Sequence, residues 1–260
     1  MAVQLAKAVA VAGHWPSLTY CQLFILVSEV QLSVVVPILN ESLLLEAFLN
    51  NTLACMPEKA EIILVDGGSS DNSLQLLESF CSSNSSVQYL KSAKGRAVQM
   101  NTGASIAKGQ YLLFLHVDTH LPNNFSDMFN QWRQSNPAWG FARVRLQGDE
   151  LWCRIISTSI NFRSRITSGA GGDQAQIVNA DTFEQIGGYR EIDLMEDIDL
   201  SYRLRRRYKL SLLPFSVVTS SRRWRKHGVL KTVILMWFLR LSFLLGVPPS
   251  RLALFYSNHF

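Results

Sequence analysis

Apolar and polar positions change rhythm repeatedly along the chain. LSVVVPI (32–38), AEIILVD (60–66) and QYLLFLHVD (110–118) are near-continuous apolar runs, the pattern of strands buried on both faces. SVQYLKS (86–92) predicts a shorter third strand. Helical spacing fills the gaps. ESLLLEAFLNNTLA (41–54) predicts a helix with Asn40 as its N-cap. Ser70 or Asp71 is placed to cap the next helix, and GRAVQMNTGASIA (95–107) predicts another, with Val98, Thr102 and Ser105 or Ile106 on one face. Such alternation predicts an α/β fold on a parallel sheet with right-handed crossovers. Beyond Pro122 the rhythm loosens: helix (122–134), strand (139–147), helix (150–166), strand (171–179), short helix (181–189) and helix (194–207).

At 260 residues and 48% apolar, the chain suits one α/β domain with a sizeable core. Cys21, Cys55, Cys81 and Cys153 form no CxxC and no Cys/His cluster, which predicts reduced thiols and no structural zinc. The net charge of +5 hides an asymmetry: residues 200–260 carry 12 Lys/Arg and no Asp/Glu, leaving residues 1–199 at −7. A cationic end suits an anionic membrane surface or a pyrophosphate-bearing ligand. No RNA-binding motif surrounds it, and the acidic remainder would repel nucleic acid.

These shifts divide the chain into an extension (1–30), a catalytic domain (31–227) and a tail (228–260). The extension has too short an apolar stretch to span a bilayer, and His14, Trp15 and Pro16 interrupt any signal-peptide pattern. KTVILMWFLRLSFLLGV (231–247) predicts an apolar C-terminal helix, shorter than the ~20 residues a crossing needs. It would pack on the domain or lie in the membrane interface. The expected location is cytoplasmic, peripheral on the inner face of the plasma membrane.

The chemistry centres on Asp66, Asp118 and Asp197, each in its own motif. Asp66 (VDGGSSDNS) and Asp118 (FLHVDT) end apolar runs, and ligands bind outside such strand ends in open α/β sheets. In VVVPILNE, Pro37 ends the strand and Asn40 and Glu41 overhang the sheet edge. No GxGxxG is present, which argues against a dinucleotide-binding dehydrogenase. Gly67 gives Asp66 room beside a base or ribose. Lys94 and Arg96 stand at a helix start suited to anions. Asp118 suits a hard divalent ion, with His116 a further ligand or a packing residue. Glu196 and Asp197 open a helix, where one carboxylate can serve as general base, and Asp199 with Arg203 forms an i,i+4 pair. Arg222, Arg223 and Trp224 form a basic cluster fit for phosphates or a membrane collar. Gly172, Asp173 and Gln174 form a glycine-rich acceptor loop or lid, with Asp173 and Gln174 exposed to the site.

In order and spacing these motifs resemble the family 2 glycosyltransferases over roughly residues 32–227. The resemblance implies the GT-A nucleotide-diphospho-sugar transferase fold: a mostly parallel Rossmann-like sheet flanked by helices. HVDT with SSRRW is similar to a bacterial subgroup whose acceptors are mostly unassigned. Pro37, Asn40, Glu41, Asp66, Gly67, Lys94 and Arg96 would then bind the nucleotide-sugar. Asp118 would hold Mn2+ or Mg2+ on the diphosphate, Asp197 would be the base, and Arg222, Arg223 and Trp224 would neutralise the leaving group. His116 stands where the family's DxD motif has its first Asp. The implied partners are a nucleotide-diphosphate sugar donor and a hydroxyl or lipid acceptor. Transfer to polyprenyl phosphate and a noncatalytic membrane-associated nucleotide-sugar-binding protein are the alternatives.

Overall fold

The computed structural model describes residues 30–259; the extension, with Cys21, lies outside them except for Val30. Four strands follow the expected pattern: β1 (Leu32–Ile38), β2 (Ala60–Asp66), β3 (Val87–Lys91) and β4 (Tyr111–Phe114). They alternate with α1 (Ser42–Cys55), α2 (Ser73–Ser83) and α3 (Arg96–Ile106). All seven residues of β1 are buried, because helices cover both sheet faces. Val34, Val36 and Ile38 pack with Leu45, Phe48 and Leu49 of α1, while Val35 packs with Ala97 and Met100 of α3. Gly103 lets α3 approach closely: a β-carbon there would lie 2.4 Å from Val35 Cγ1.

The chain continues through β5 (Thr119–His120), α4 (Phe125–Arg133), β6 (Trp139–Phe141), β7 (Arg143–Leu146), α5 (Leu151–Thr167) and a 3-10 turn (Gly172–Gln174). Then come β8 (Gln176–Asn179), α6 (Ala180–Gln185), α7 (Glu196–Arg205), β9 (Ser216–Thr219), α8 (Arg222–His227), α9 (Val229–Leu244) and α10 (Pro249–Ser257). The main sheet runs β3-β2-β1-β4-β8-β6 and a second runs β5-β9-β7.

Three expectations are corrected. First, the architecture is mixed. The β3-β2-β1-β4 half is parallel, but β8 runs antiparallel to both β4 and β6, and β5 antiparallel to β9. Secondly, WGFARVRLQ is not one strand: Ala142 separates β6 in the main sheet from β7 in the small one. Thirdly, residues 228–260 do not form an apolar C-terminal helix. Gly228 and Gly246, at φ 85° and 86°, and Pro248 divide the segment into α9 and α10. α9 carries Lys231 and Arg240 and buries Thr232 and Ser242 as well as Leu235 and Leu239. Among the described residues no helix is long and apolar enough to cross a membrane.

The α9–α10 pair docks on the domain through Leu235, Leu239 and Leu252, which pack with Met195 and Ile198 beside Asp197. Among the described residues the opposite side of α9 is largely exposed: Leu230, Ile234, Trp237, Phe238, Leu241 and Leu244 are 48–73% exposed, with Phe238 against Phe255. Leu151, Ile155, Phe162 and Ile166 of α5 are also exposed.

Candidate active site

The loops after β1 and β2 are stitched together by side chains from VVVPILNE and VDGGSSDNS. β1 runs through Pro37 to Ile38 rather than ending at Pro37, because β4 pairs with it only as far as Val35 and at Pro37 only β2 is alongside. Asn40 is not the cap of α1. It sits at φ 55°, and its Oδ1 accepts from the Ser70 backbone N–H at 2.8 Å. Asp71 serves both helices: Oδ2 accepts from Ser42 N at 3.0 Å and Oδ1 from Ser73 N at 2.9 Å. Burial opposes its ionisation, but the hydrogen bonds from Ser73 and Ser42 hold its carboxyl well below the usual range.

Asp66, buried at the end of β2, accepts from the backbone N–H groups of Gly68 and Ser69 at 3.1 Å each. Its carboxylate shapes the loop after β2. Gly67 leaves room for Gln99, whose Nε2 donates to the carbonyls of Ile38 (2.8 Å) and Val65 (2.7 Å). Sequence reasoning missed Gln99. Its signal was a polar residue on α3 where the buried face is Ala97, Gln99, Met100 and Gly103, not the Val98–Thr102 face expected.

β4 stops at Phe114, so His116 and Asp118 lie in the following loop rather than on the strand. Both are half-buried. Burial first, with Arg96 and Arg223 adding to it, pushes His116 down to about 4 against the pull of Asp118, leaving a neutral imidazole at pH 7. Glu41 is raised by burial and by Asp118, with Arg222 and Arg96 opposing. Asp173 is raised by burial and by Asp118, with Arg223 and Arg163 opposing. Glu41, Arg96, His116, Asp118, Asp173, Arg222 and Arg223 therefore share one electrostatic field.

Asp197 stands in the first turn of α7 after Met195, a left-handed residue at φ 71°. Its Oδ1 accepts from Ile198 N at 2.7 Å, and its Oδ2 accepts from Gly172 N in the 3-10 turn. Burial, with the charges of Glu196 and Asp173, pushes its carboxyl up to about 7 despite these bonds. Gln176 and Ser201, both unforeseen, hold the turn. Gln176 Nε2 donates to Asp197 O (3.0 Å) and Ser201 Oγ (2.8 Å), while Tyr189 Oη donates to Gln176 Oε1 (3.2 Å). Asp199 pairs with Arg203 Nε at 2.7 Å, as the spacing predicted, and with Arg190 at 3.1 Å.

The FLHVDT motif, through His116, meets the α7 motif, whereas Asp66 and Asp118 themselves do not line the cavity that the two motifs form. One small cavity is walled by His116, Gly172, Gln176, Tyr189, Glu196 and Asp197, among others. A β-carbon on Gly172 would lie 2.4 Å from His116 Nε2, so this position admits only glycine without displacement. Of the candidates only Gly172, Glu196 and Asp197 line this cavity, with His116. Gln174 is buried rather than exposed to the site. Its Oε1 accepts from Ser164 Oγ at 2.7 Å and from Gly171 N at 3.1 Å. Trp224 packs with Leu146, Cys153 and Ile156. Lys94 is exposed, outside the cavity. Arg222 lines a second, open groove with Arg225, Lys226 and Ser220.

A half-parallel α/β sheet flanked by helices, with Asp66 at the end of β2 and Asp118 in the loop after β4, defines an α/β domain with acidic side chains at its strand ends. Residues 33–192 match the model of glycosyl transferase family 2, and the chain belongs to that family. It is similar to glycosyltransferase GlyG of Streptococcus pneumoniae, 36% identical over 109 residues, which are 41% of this chain and 36% of that protein. In fold it resembles Staphylococcus aureus TarS (residues 1–349), with a TM-score of 0.61 and 16% identity over 74% of this chain and 60% of that one. TarS has also been solved with UDP-GlcNAc. The mannosyltransferase PcManGT of Pyrobaculum calidifontis, in complex with GDP-Man and Mn2+, gives 0.58 and 18% over 72% and 56%. The chain thus spans about a third of the length of GlyG and about three-fifths of the solved TarS fragment.

Proposed function

We propose that this chain is an inverting glycosyltransferase, moving a sugar from a nucleoside-diphosphate donor to an acceptor hydroxyl. The observation that carries the reading is the cavity shared by Asp197 and the His116 loop, with Asp118 two residues further on. Asp197, raised to about 7, is matched to accept a proton near neutral pH. It takes the acceptor hydroxyl's proton as the oxygen bonds to the anomeric carbon. The bond from that carbon to the diphosphate oxygen breaks, and the diphosphate leaves with the electron pair. One displacement inverts the centre. Arg222 and Arg223, in the field of Asp118, Glu41 and Asp173, offset charge growing on the leaving group. The nucleotide sugars bound by TarS and PcManGT support the donor class.

Asp118 fits Mn2+ or Mg2+ on the diphosphate. Among the described residues no cluster of three or more His, Cys, Asp or Glu forms a metal cage. A hard cation bridging phosphates needs only one or two protein carboxylates, and the negative charge of Asp118 raises both Glu41 and Asp173 although arginines oppose it at each. Such an ion would supply charge neutralisation on the departing diphosphate. A thermal-shift panel of UDP-, GDP- and TDP-sugars with and without Mn2+, followed by donor-consumption assays, tests the reading. A metal-dependent shift for one nucleotide supports it, and failure of every donor to bind overturns it.

The same reading extends to peripheral contact with an anionic lipid surface. At about 100° per residue, the six exposed apolar side chains of α9 fall within an arc of roughly 120°. Residues 200–260 carry cations and no acids. Apolar burial combined with attraction to anionic headgroups is what holds an interfacial helix.

A further inference from the structure

α9 brings one more charged group to Gly171, next to the Gly172 that bonds Asp197. Leu235 and Leu239 dock the helix on Met195 and Ile198, on either side of Asp197, and Arg240 follows Leu239. Three charged groups converge on Gly171. A β-carbon there would lie 2.8 Å from Asp173 Oδ1, 3.4 Å from Arg240 Nη2 and 3.8 Å from Asp197 Oδ2. Arg240 Nη1 is buried and, among the described residues, has no hydrogen-bond partner.

A buried donor on a guanidinium that makes no bond is costly, and the planar fork of arginine matches a phosphate or carboxylate edge. Arg96, Arg222 and Arg223 share the field of Asp118, Glu41 and His116, where a donor diphosphate would lie, and Asp173 joins that field to the surroundings of Gly171. Arg240 enters instead from the wall that carries Asp197. We infer that Arg240 anchors an anionic group of the acceptor, a phosphate or a carboxylate, and so holds the nucleophilic oxygen against Asp197. This rests on the glycosyltransferase reading and narrows its acceptor to anionic molecules.

The test uses the full chain, Arg240→Gln and Arg240→Lys. Calorimetry first measures UDP and GDP binding. Inorganic phosphate, acetate and citronellyl phosphate are then titrated into nucleotide-saturated protein, or into free protein if neither nucleotide binds. The expected result is that Arg240→Gln weakens binding of at least one anion by roughly tenfold or more, Arg240→Lys restores part of it, and nucleotide affinity stays within about twofold. Binding of citronellyl phosphate without inorganic phosphate would mark a lipid-linked acceptor; equal loss for both would mark the phosphate alone; loss for acetate would mark a carboxylate. A tenfold loss of nucleotide affinity in Arg240→Gln would assign the residue to the donor and overturn the inference, as would anion binding identical to that of the parent protein. Failure of the parent protein to bind either nucleotide would count against the donor reading, while the anion titrations still decide the role of Arg240.

Discussion

Asp197→Asn should yield a protein that is more stable at alkaline pH and inactive. The folded-state carboxyl stands at about 7 against an ordinary 3.8. That difference bounds the penalty for holding it ionised at about 4 kcal/mol. Asparagine removes the charge but offers one acceptor oxygen where aspartate offers two. Ile198 N–H and Gly172 N–H now donate to different oxygens, so one donor loses its partner at a cost of about 1–3 kcal/mol. The net gain at pH 8 is about 1–3 kcal/mol, a few degrees in Tm for a chain of this size. The sign follows from proton binding. Between the ordinary value and about 7 the folded state holds a proton that the unfolded state has lost, so wild-type stability falls as pH rises through that window. The advantage of the asparagine variant should therefore vanish near pH 5. In wild type, kcat/KM should rise about tenfold per pH unit below pH 7 and level off above it. The variant should lose about 10²–10⁴ in turnover with donor affinity retained. Thermal denaturation from pH 5 to 8 and a donor-consumption assay check both halves. Transfer within a few-fold of wild type would refute Asp197 as the base, and a stability difference independent of pH would refute the burial argument.

Asp118→Asn should abolish any Mn2+-dependent thermal shift of the bound nucleotide while changing Tm of the free protein by less than about 1 kcal/mol equivalent, since Asp118 is half-buried at the loop. Gly172→Ala drives a methyl to 2.4 Å from His116 Nε2. It should destabilise by about 1–3 kcal/mol and lower kcat more than donor affinity, checked by urea unfolding and steady-state kinetics. Arg203→Ala strips Asp199 of its closest partner and leaves the carbonyls of Ile186 and Gly188 without their donors. A loss of about 3 kcal/mol in chemical unfolding is expected. Trp237→Ser with Leu241→Ser should release the protein from phosphatidylglycerol-rich vesicles in a flotation assay without lowering Tm, because both side chains are exposed; undiminished flotation would remove α9 from the contact.

The β1, β2, α1 and α3 segments and the positions of Asp66 and Asp197 were legible because they are local. A run such as LSVVVPI fits a strand covered on both faces, and three acids in one helical turn mark a helix start. The direction of β8 and β6 was not local, since neither segment encodes which neighbour it will pair with. Ala142 passes from one sheet to the other for the same reason, and SVVT at 216–219 becomes β9 only because β5 and β7 lie beside it. Side-chain partners were the least legible. Asn40 and Asp71 bond across loops about 30 residues apart, and Gln174 turns inward to Ser164. The tail shows the division most sharply. Its composition fixed an apolar, cationic segment. Only packing against Met195 and Ile198 determined which side of α9 is buried, which is exposed among the described residues, and that Arg240 reaches Gly171. Periodicity along one helix records which residues share a face, whereas the shape of a distant surface selects the face that docks.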